Sequence, residues 1–113
     1  MSQPPRLPPL THLQFIVLGA LMAVQDGRAG KHLRRELARH RVRRTAPAFY
    51  QMMARIEDAG WVEGFYTQQI VAAQIIKERQ YRITASGLRA WTATRDFYVE
   101  TAARVVKAGV AHA

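Results

Sequence analysis

The chain has 113 residues and no cysteine, so one small domain is expected, with no disulfide, thiolate metal site or cysteine nucleophile. It carries 17 Lys and Arg against 8 Asp and Glu, a formal net charge of +9, which favours a polyanionic partner, either nucleic acid or an acidic membrane surface. Apolar residues make up 49% of the chain, enough for a packed core. The histidines (His12, His32, His40, His112) are scattered without ligand spacing, so neither metal nor cofactor is expected.

The opening MSQPPRLPPL is proline-rich and reads as a flexible arm over residues 1–10. Its prolines do not fit the apolar part of a secretory signal, and a cytoplasmic protein is expected. Thr11 then offers an oxygen to cap a first helix, Thr11 to Gln25. That helix is apolar on nearly every side, so it should be covered from several directions, part of the cover coming from a second subunit. Its apolar run, Leu13 to Val24, is too short for a membrane span, which needs roughly 20 residues. Asp26-Gly27 ends it.

A second helix is expected over Gly30 to Arg39, with Leu33 and Leu37 inward and Arg34, Arg35 and Arg39 on or near the outer side. The run RHRVRR (Arg39 to Arg44) follows as the end of that helix plus a turn. A third helix starts with Thr45 as its N-cap and Pro47 in its first turn, and stops at Gly60. Periodicity puts Phe49, Tyr50, Met53 and Ile56 on one side. Pro47, Ala48, Gln51, Ala54, Arg55 and Asp58 fall on the other.

Trp61 to Thr67 and Lys77 to Thr84 read as two strands. The intervening QQIVAAQII lacks Gly and Pro, and either loops or extends both strands into a long hairpin. Thr84 caps a fourth helix, Ala85 to Ala108, with a heptad-like seam of Leu88, Trp91, Tyr98, Ala102 and Val105 that Arg95 interrupts. A helix this long has too little core of its own to cover it, which points to a homodimer.

Three helices followed by a hairpin is the layout of a winged helix, in which the third helix enters the DNA major groove. The fold expected is mainly α. It comprises a winged helix-turn-helix over 11–84 and a long C-terminal dimerisation helix with a tail over 85–113. Residue types on the third helix suit base edges. Ala48 allows close approach to a thymine methyl, Gln51 can bond adenine bidentately, and Arg55 can reach guanine or a phosphate. Arg39, Arg41, Arg43 and Arg44, with Thr45, lead into the helix N-terminus, itself partly positive, so an anion is expected there. Lys77 and Arg79, beside Arg82, give the hairpin a basic side that could rest on the DNA backbone. Tyr50 and Trp61 read as packing residues where the third helix, the hairpin and the first helix meet. Trp91 reads as dimer core or as the wall of a cavity for a flat apolar ligand. No Ser/His/Asp spacing, carboxylate pair or Gly-rich phosphate loop marks an enzyme. A competing reading is a winged-helix module that binds another protein through its apolar hairpin.

The pieces LQFIVLGALM, AFYQMMARIEDAGWV and RQYRITASGLRAW carry a resemblance to the PadR family of bacterial transcriptional regulators over residues 12–92. The family's helix pattern matches at Tyr50, Arg55, Ile56, Glu57 and Gly60, and its wing-to-helix pattern at Tyr81, Ile83, Thr84 and Gly87. The resemblance implies a homodimeric repressor on double-stranded DNA, dimerising through the C-terminal helix, with an aromatic or lipophilic effector in some members. Two departures stand out. Ala46-Pro47-Ala48 replaces the usual Pro-Gly-Thr, and the wing is apolar rather than Gly-rich.

Overall fold

The computed structural model describes residues 7–24 and 26–112. In chain order its elements are α1 (His12–Met22), β1 (Arg28–Ala29), α2 (Gly30–Arg39), α3 (Ala46–Asp58), β2 (Val62–Val71), β3 (Gln74–Ile83) and α4 (Ala85–His112). Three threonines start three of the helices by taking amide protons that the first turn leaves unpaired. Thr11 accepts from the Gln14 amide at 3.3 Å while the Gln14 side chain takes the Thr11 N–H at 3.0 Å, a reciprocal capping box. Thr45 accepts from the Ala48 amide at 3.3 Å and Thr84 from the Gly87 amide at 3.0 Å.

The core forms where α1, α2, α3 and the base of the sheet converge. Val17, Leu18 and Leu21 from α1 meet Leu33 and Leu37, then Phe49, Met53 and Ile56, with Val62 and Tyr81 closing one side. Fully burying one such aliphatic side chain contributes roughly 1.5–3 kcal/mol. Its own chain covers much of α1, since α2, β3 and α4 all pack on it and bury Val17, Leu18 and Leu21, while Leu13, Phe15, Ile16 and Ala20 stay partly exposed. The helix stops at Met22, short of the expected Gln25, which lies outside the described residues.

The sheet is antiparallel with order β1-β3-β2. The two-residue β1, not foreseen in the sequence, pairs Arg28 with Tyr81 and Ala29 with Gln80. QQIVAAQII extends both long strands, and the register runs unbroken from Val62↔Ile83 to Val71↔Gln74. Ala72 and Ala73 make the turn with φ of 50° and 63°. That is the two-residue hairpin connection whose twist matches the strands, here built without its usual Asn or Gly.

Residues 1–6 of the expected arm lie outside the described residues, but its last residue, Leu10, is buried in the core. The arm and the folded domain therefore meet before Leu10, not after it. At the other end, Ala90 and Thr94 are buried, with the Thr94 hydroxyl donating to the Ala90 carbonyl at 2.8 Å. The first turns of α4 thus belong to the same core as α1–α3. From Val99 to Gly109 every residue of α4 is exposed.

Candidate nucleic-acid interface

The turn between α2 and α3 is built by backbone hydrogen bonds that hold its arginines outward. After the C-cap His40, the Arg41 amide donates to the Ala38 carbonyl at 2.9 Å and the Val42 amide to the Leu37 carbonyl at 2.9 Å. This is the Schellman arrangement, which puts the residue after the cap in the left-handed region. That residue is Arg41, at φ 60°. Val42 then packs against the core and anchors the turn. Arg34 donates to the Arg44 carbonyl at 3.3 Å and braces the turn against α2.

Arg39, Arg41, Arg43, Arg44 and Thr45 are all exposed. Among the described residues, no carboxylate lies within ion-pair distance of Arg41, Arg43 or Arg44. Arg39 makes only a loose pair with Glu36 at 3.8 Å. Arg43 and Arg44 share a groove with Lys31, Arg34 and Arg35, floored by Leu37, Val42 and Phe49. Lys31 and Arg35 were not among the candidates from sequence. Their spacing on the outer side of α2 was visible, but their facing the later arginines depends on the angle at which α3 leaves the turn.

α3 presents the face expected. Phe49, Met53 and Ile56 are buried, while Gln51, Ala54, Arg55 and Asp58 are exposed and Ala48 is half-buried. Ala48, Gln51 and Arg55 border a groove whose opposite side is Thr11, His12 and Gln14 at the start of α1. Tyr50 departs from the expected packing stripe. It is 38% exposed, edge-on to Phe49, with its ring against Gly30 at the head of α2.

The base of the hairpin is clasped to α3. The Arg79 guanidinium donates to both Glu57 carboxylate oxygens at 3.0 Å, and it lies 4.7 Å from the Tyr66 ring centroid. Gly64 makes room, because a Cβ there would overlap the guanidinium and sit 2.8 Å from a Glu57 oxygen. Partial burial works against the charged form of Arg79, but its interactions with Tyr81 and Glu57 outweigh that and hold the proton more firmly than usual. Burial likewise pushes the Tyr81 phenol up, against the pull of Arg79. Arg79, one of the phosphate candidates, thus has its charge committed within the protein. Arg82 pairs with Glu63 at 3.2 Å. Lys77 is exposed, on the part of the hairpin beyond the clasp.

The α4 candidates separate by depth. Trp91 stacks on Phe15 at 5.1 Å, and Tyr98 stacks on His12 at 5.6 Å, so both pack on α1 of the same chain. Leu88 is 44% exposed, and Ala102 and Val105 lie on the exposed end of the helix. Trp91 also lines a groove with Phe15, Gly19 and Ala23, and its Nε1 is buried with no hydrogen-bond partner among the described residues.

Neither a family model nor a curated protein matches the chain. Solved structures do. A PadR family transcriptional regulator from Eggerthella lenta is 25% identical, with a TM-score of 0.54 over 85% of this chain and 78% of that one. A protein of Thermoplasma acidophilum assigned as a transcriptional regulator superposes with a TM-score of 0.65 at 12% identity, covering 89% of this chain and 90% of that one. A PadR-like transcription factor from Bacteroides fragilis gives a TM-score of 0.58 at 13% identity, covering 88% and 87%. The resemblance carried by the helix and wing motifs is therefore present in the structure as well: the fold is the winged helix of PadR-type regulators, with its long C-terminal helix. Among the described residues, no helix is long and apolar enough to cross a membrane.

Proposed function

We propose that this PadR-type winged-helix chain is a sequence-specific DNA-binding regulator that represses transcription as a homodimer. The observation that carries the reading is the α2–α3 turn. Its three arginines, Arg41, Arg43 and Arg44, stand exposed at the head of α3, without acidic partners among the described residues. Cations gathered at a helix N-terminus repel one another and the helix dipole unless an anion lies there. A phosphate backbone supplies that anion, and it brings the exposed Gln51 and Arg55 over base edges. Arg39 and Lys77 extend the phosphate track on either side, and the hydroxyl of Thr45 adds a donor beside it. Arg79 acts as a positioning residue that sets the wing against α3.

The exposed end of α4 is the proposed dimer contact, with Ala102 and Val105 in the seam and Leu88 at its near edge. Val99, Val105 and Val106 stand in water there at more than half exposure. A two-fold dimer places its α3 helices about 34 Å apart, so the operator is an inverted repeat. Where an effector acts, the groove of Phe15, Gly19, Ala23 and Trp91 is its place, and the unpartnered indole N–H would donate to an aromatic or lipophilic ligand bearing an acceptor.

Selection of bound fragments from a random duplex pool tests the reading. The expected result is an enriched inverted repeat with a log–log salt slope of about −7, from about four phosphates per protomer. A pool that shows no enrichment, or an affinity indifferent to salt, defeats it. Truncation after Tyr98 leaves the buried residues in place and should halve the mass seen by sedimentation. An intact dimer would move the contact elsewhere.

A further inference from the structure

We propose that the tip of the β2–β3 hairpin is a minor-groove wedge, in which Ile70 and Ile75 enter and part an A·T base step. This rests on the DNA-binding reading above and specifies what the wing does in it. The hairpin projects well past the domain, since β1 pairs only with Tyr81 and Gln80 near its base. Beyond the Thr67–Glu78 pair, where Lys31 of α2 meets Glu78 at 3.6 Å, every residue of the hairpin is exposed. Ile70 is 80% exposed and Ile75 67%, and they sit opposite each other in register.

Strand alternation decides which way this pair faces. Ile70, Gln68 and Tyr66 share one face of β2, and Ile75, Lys77 and Arg79 share the same face of β3. Arg79 on that face reaches Glu57 of α3. The isoleucines therefore continue the face that carries Arg79, four residues past the clasp, about 13 Å at roughly 3.3 Å per residue. The major groove is about 12 Å wide. With α3 in that groove, the tip reaches across one backbone strand and over the adjoining minor groove.

The chemistry of the tip matches that place. From Gly64 to Lys77 there is no acidic residue. On their own face the isoleucines are flanked by Gln68 and the Lys77 ammonium, both exposed, while Gln69 and Gln74 lie with Val71 and Ile76 on the other face. Amides and an ammonium suit the acceptors on the minor-groove floor and the phosphates on its walls, and aliphatic side chains are the kind that unstack a base step and kink the duplex. A protein surface would have to satisfy an amide and an ammonium beside the two isoleucines. The turn is closed by two alanines, so the leading edge is narrow.

The test uses the full chain and the 40-bp duplexes enriched from the random pool. Permanganate reactivity reads unstacked thymines, and energy transfer between end labels reads bending. Expected are hyperreactive thymines at one step per half-site, with the duplex ends drawn together. Ile70→Ala with Ile75→Ala should return thymine reactivity to the free-duplex level and leave the salt slope unchanged, whereas Ile70→Leu with Ile75→Leu should keep the signal. Thymines unreactive with the wild-type chain on an enriched duplex, or fully reactive with the alanine pair, would overturn the wedge and leave DNA binding standing. A lower sedimentation mass for the alanine pair would make the tip a self-association surface, which also overturns it. If no duplex is enriched, the DNA-binding reading fails and the wedge with it.

Discussion

α2 and α3 end in the same backbone motif and differ in the residue placed at its left-handed position. After α3 the Gly60 amide donates to the Glu57 carbonyl at 2.9 Å and the Trp61 amide to the Ile56 carbonyl at 3.1 Å, with Gly60 at φ 81°. After α2 the matching bonds hold Arg41 at φ 60°. Glycine takes this conformation without steric cost, whereas a residue with a Cβ costs roughly 1–2 kcal/mol. Surroundings differ in the same direction. The end of α3 leads into the sheet, and Glu57 in its last turn is bound by Arg79. The end of α2 leads into exposed arginines. The α3 end meets this conformation with the residue that suits it, while the α2 end places an exposed cation there and accepts the backbone strain.

The largest effect expected is on the charged end. Arg43→Ala with Arg44→Ala should lower DNA affinity at least roughly 10- to 100-fold for all sequences alike and, at two contacts in each protomer of the dimer, reduce the salt slope by about 4. Titrations of selected and scrambled duplexes at several salt concentrations check this, and a loss confined to the selected duplex would make these arginines base readers. Next comes exchange at the two caps. Gly60→Ala should destabilise by about 1 kcal/mol, because the space beside it is open and only the backbone objects. Arg41→Gly should leave stability equal or higher by up to about 1 kcal/mol while reducing the salt slope of the dimer by about 2. Urea titrations of both variants decide it. Equal losses of stability would mean that Arg41 makes a structural contact and that the contrast between the helix ends is false.

Arg79→Ala should cost about 1 kcal/mol, discounted because both partners of its ion pair are roughly one-third exposed, and it should leave the salt slope unchanged. A slope reduced by about two, one contact from each protomer, would place Arg79 on DNA after all. The smallest effect concerns alkali. Burial holds the Tyr81 phenol above its ordinary value in the fold, so this contribution to stability is complete below the unfolded value of about 10 and is lost as pH rises through the folded one. Urea midpoints should fall above that pH in the wild type and fall less in Tyr81→Phe.

Helix starts were legible in the sequence because each rests on a local contact: Thr11, Thr45 and Thr84 bond to amides three residues away. Gly60 was legible for the same reason. Arg41 was not, since nothing about an arginine announces a left-handed backbone; the bonds from residues 41 and 42 impose it. The ion pair of Arg79 was not legible in the sequence because its partner is 22 positions away. Hairpin register sets Arg82 against Glu63, the docking of the sheet on α3 sets Arg79 against Glu57, and Lys77 lies beyond both. The α4 seam was interrupted in the sequence only at Arg95, yet Trp91 and Tyr98 pack on α1 of the same chain while Ala102 and Val105 do not.

The sequence by itself determined the element order, the caps, the buried stripe of α3 and the basic run before it, since all of these follow from periodicity and from contacts within a few residues. Tertiary structure alone decided which charges are neutralised, where β1 pairs, that Leu10 and Thr94 enter the core, and that the hairpin's apolar tip stands clear of the domain. The reason is physical: the availability of a charge or an apolar side chain depends on distance in space, and elements far apart in the chain set that distance.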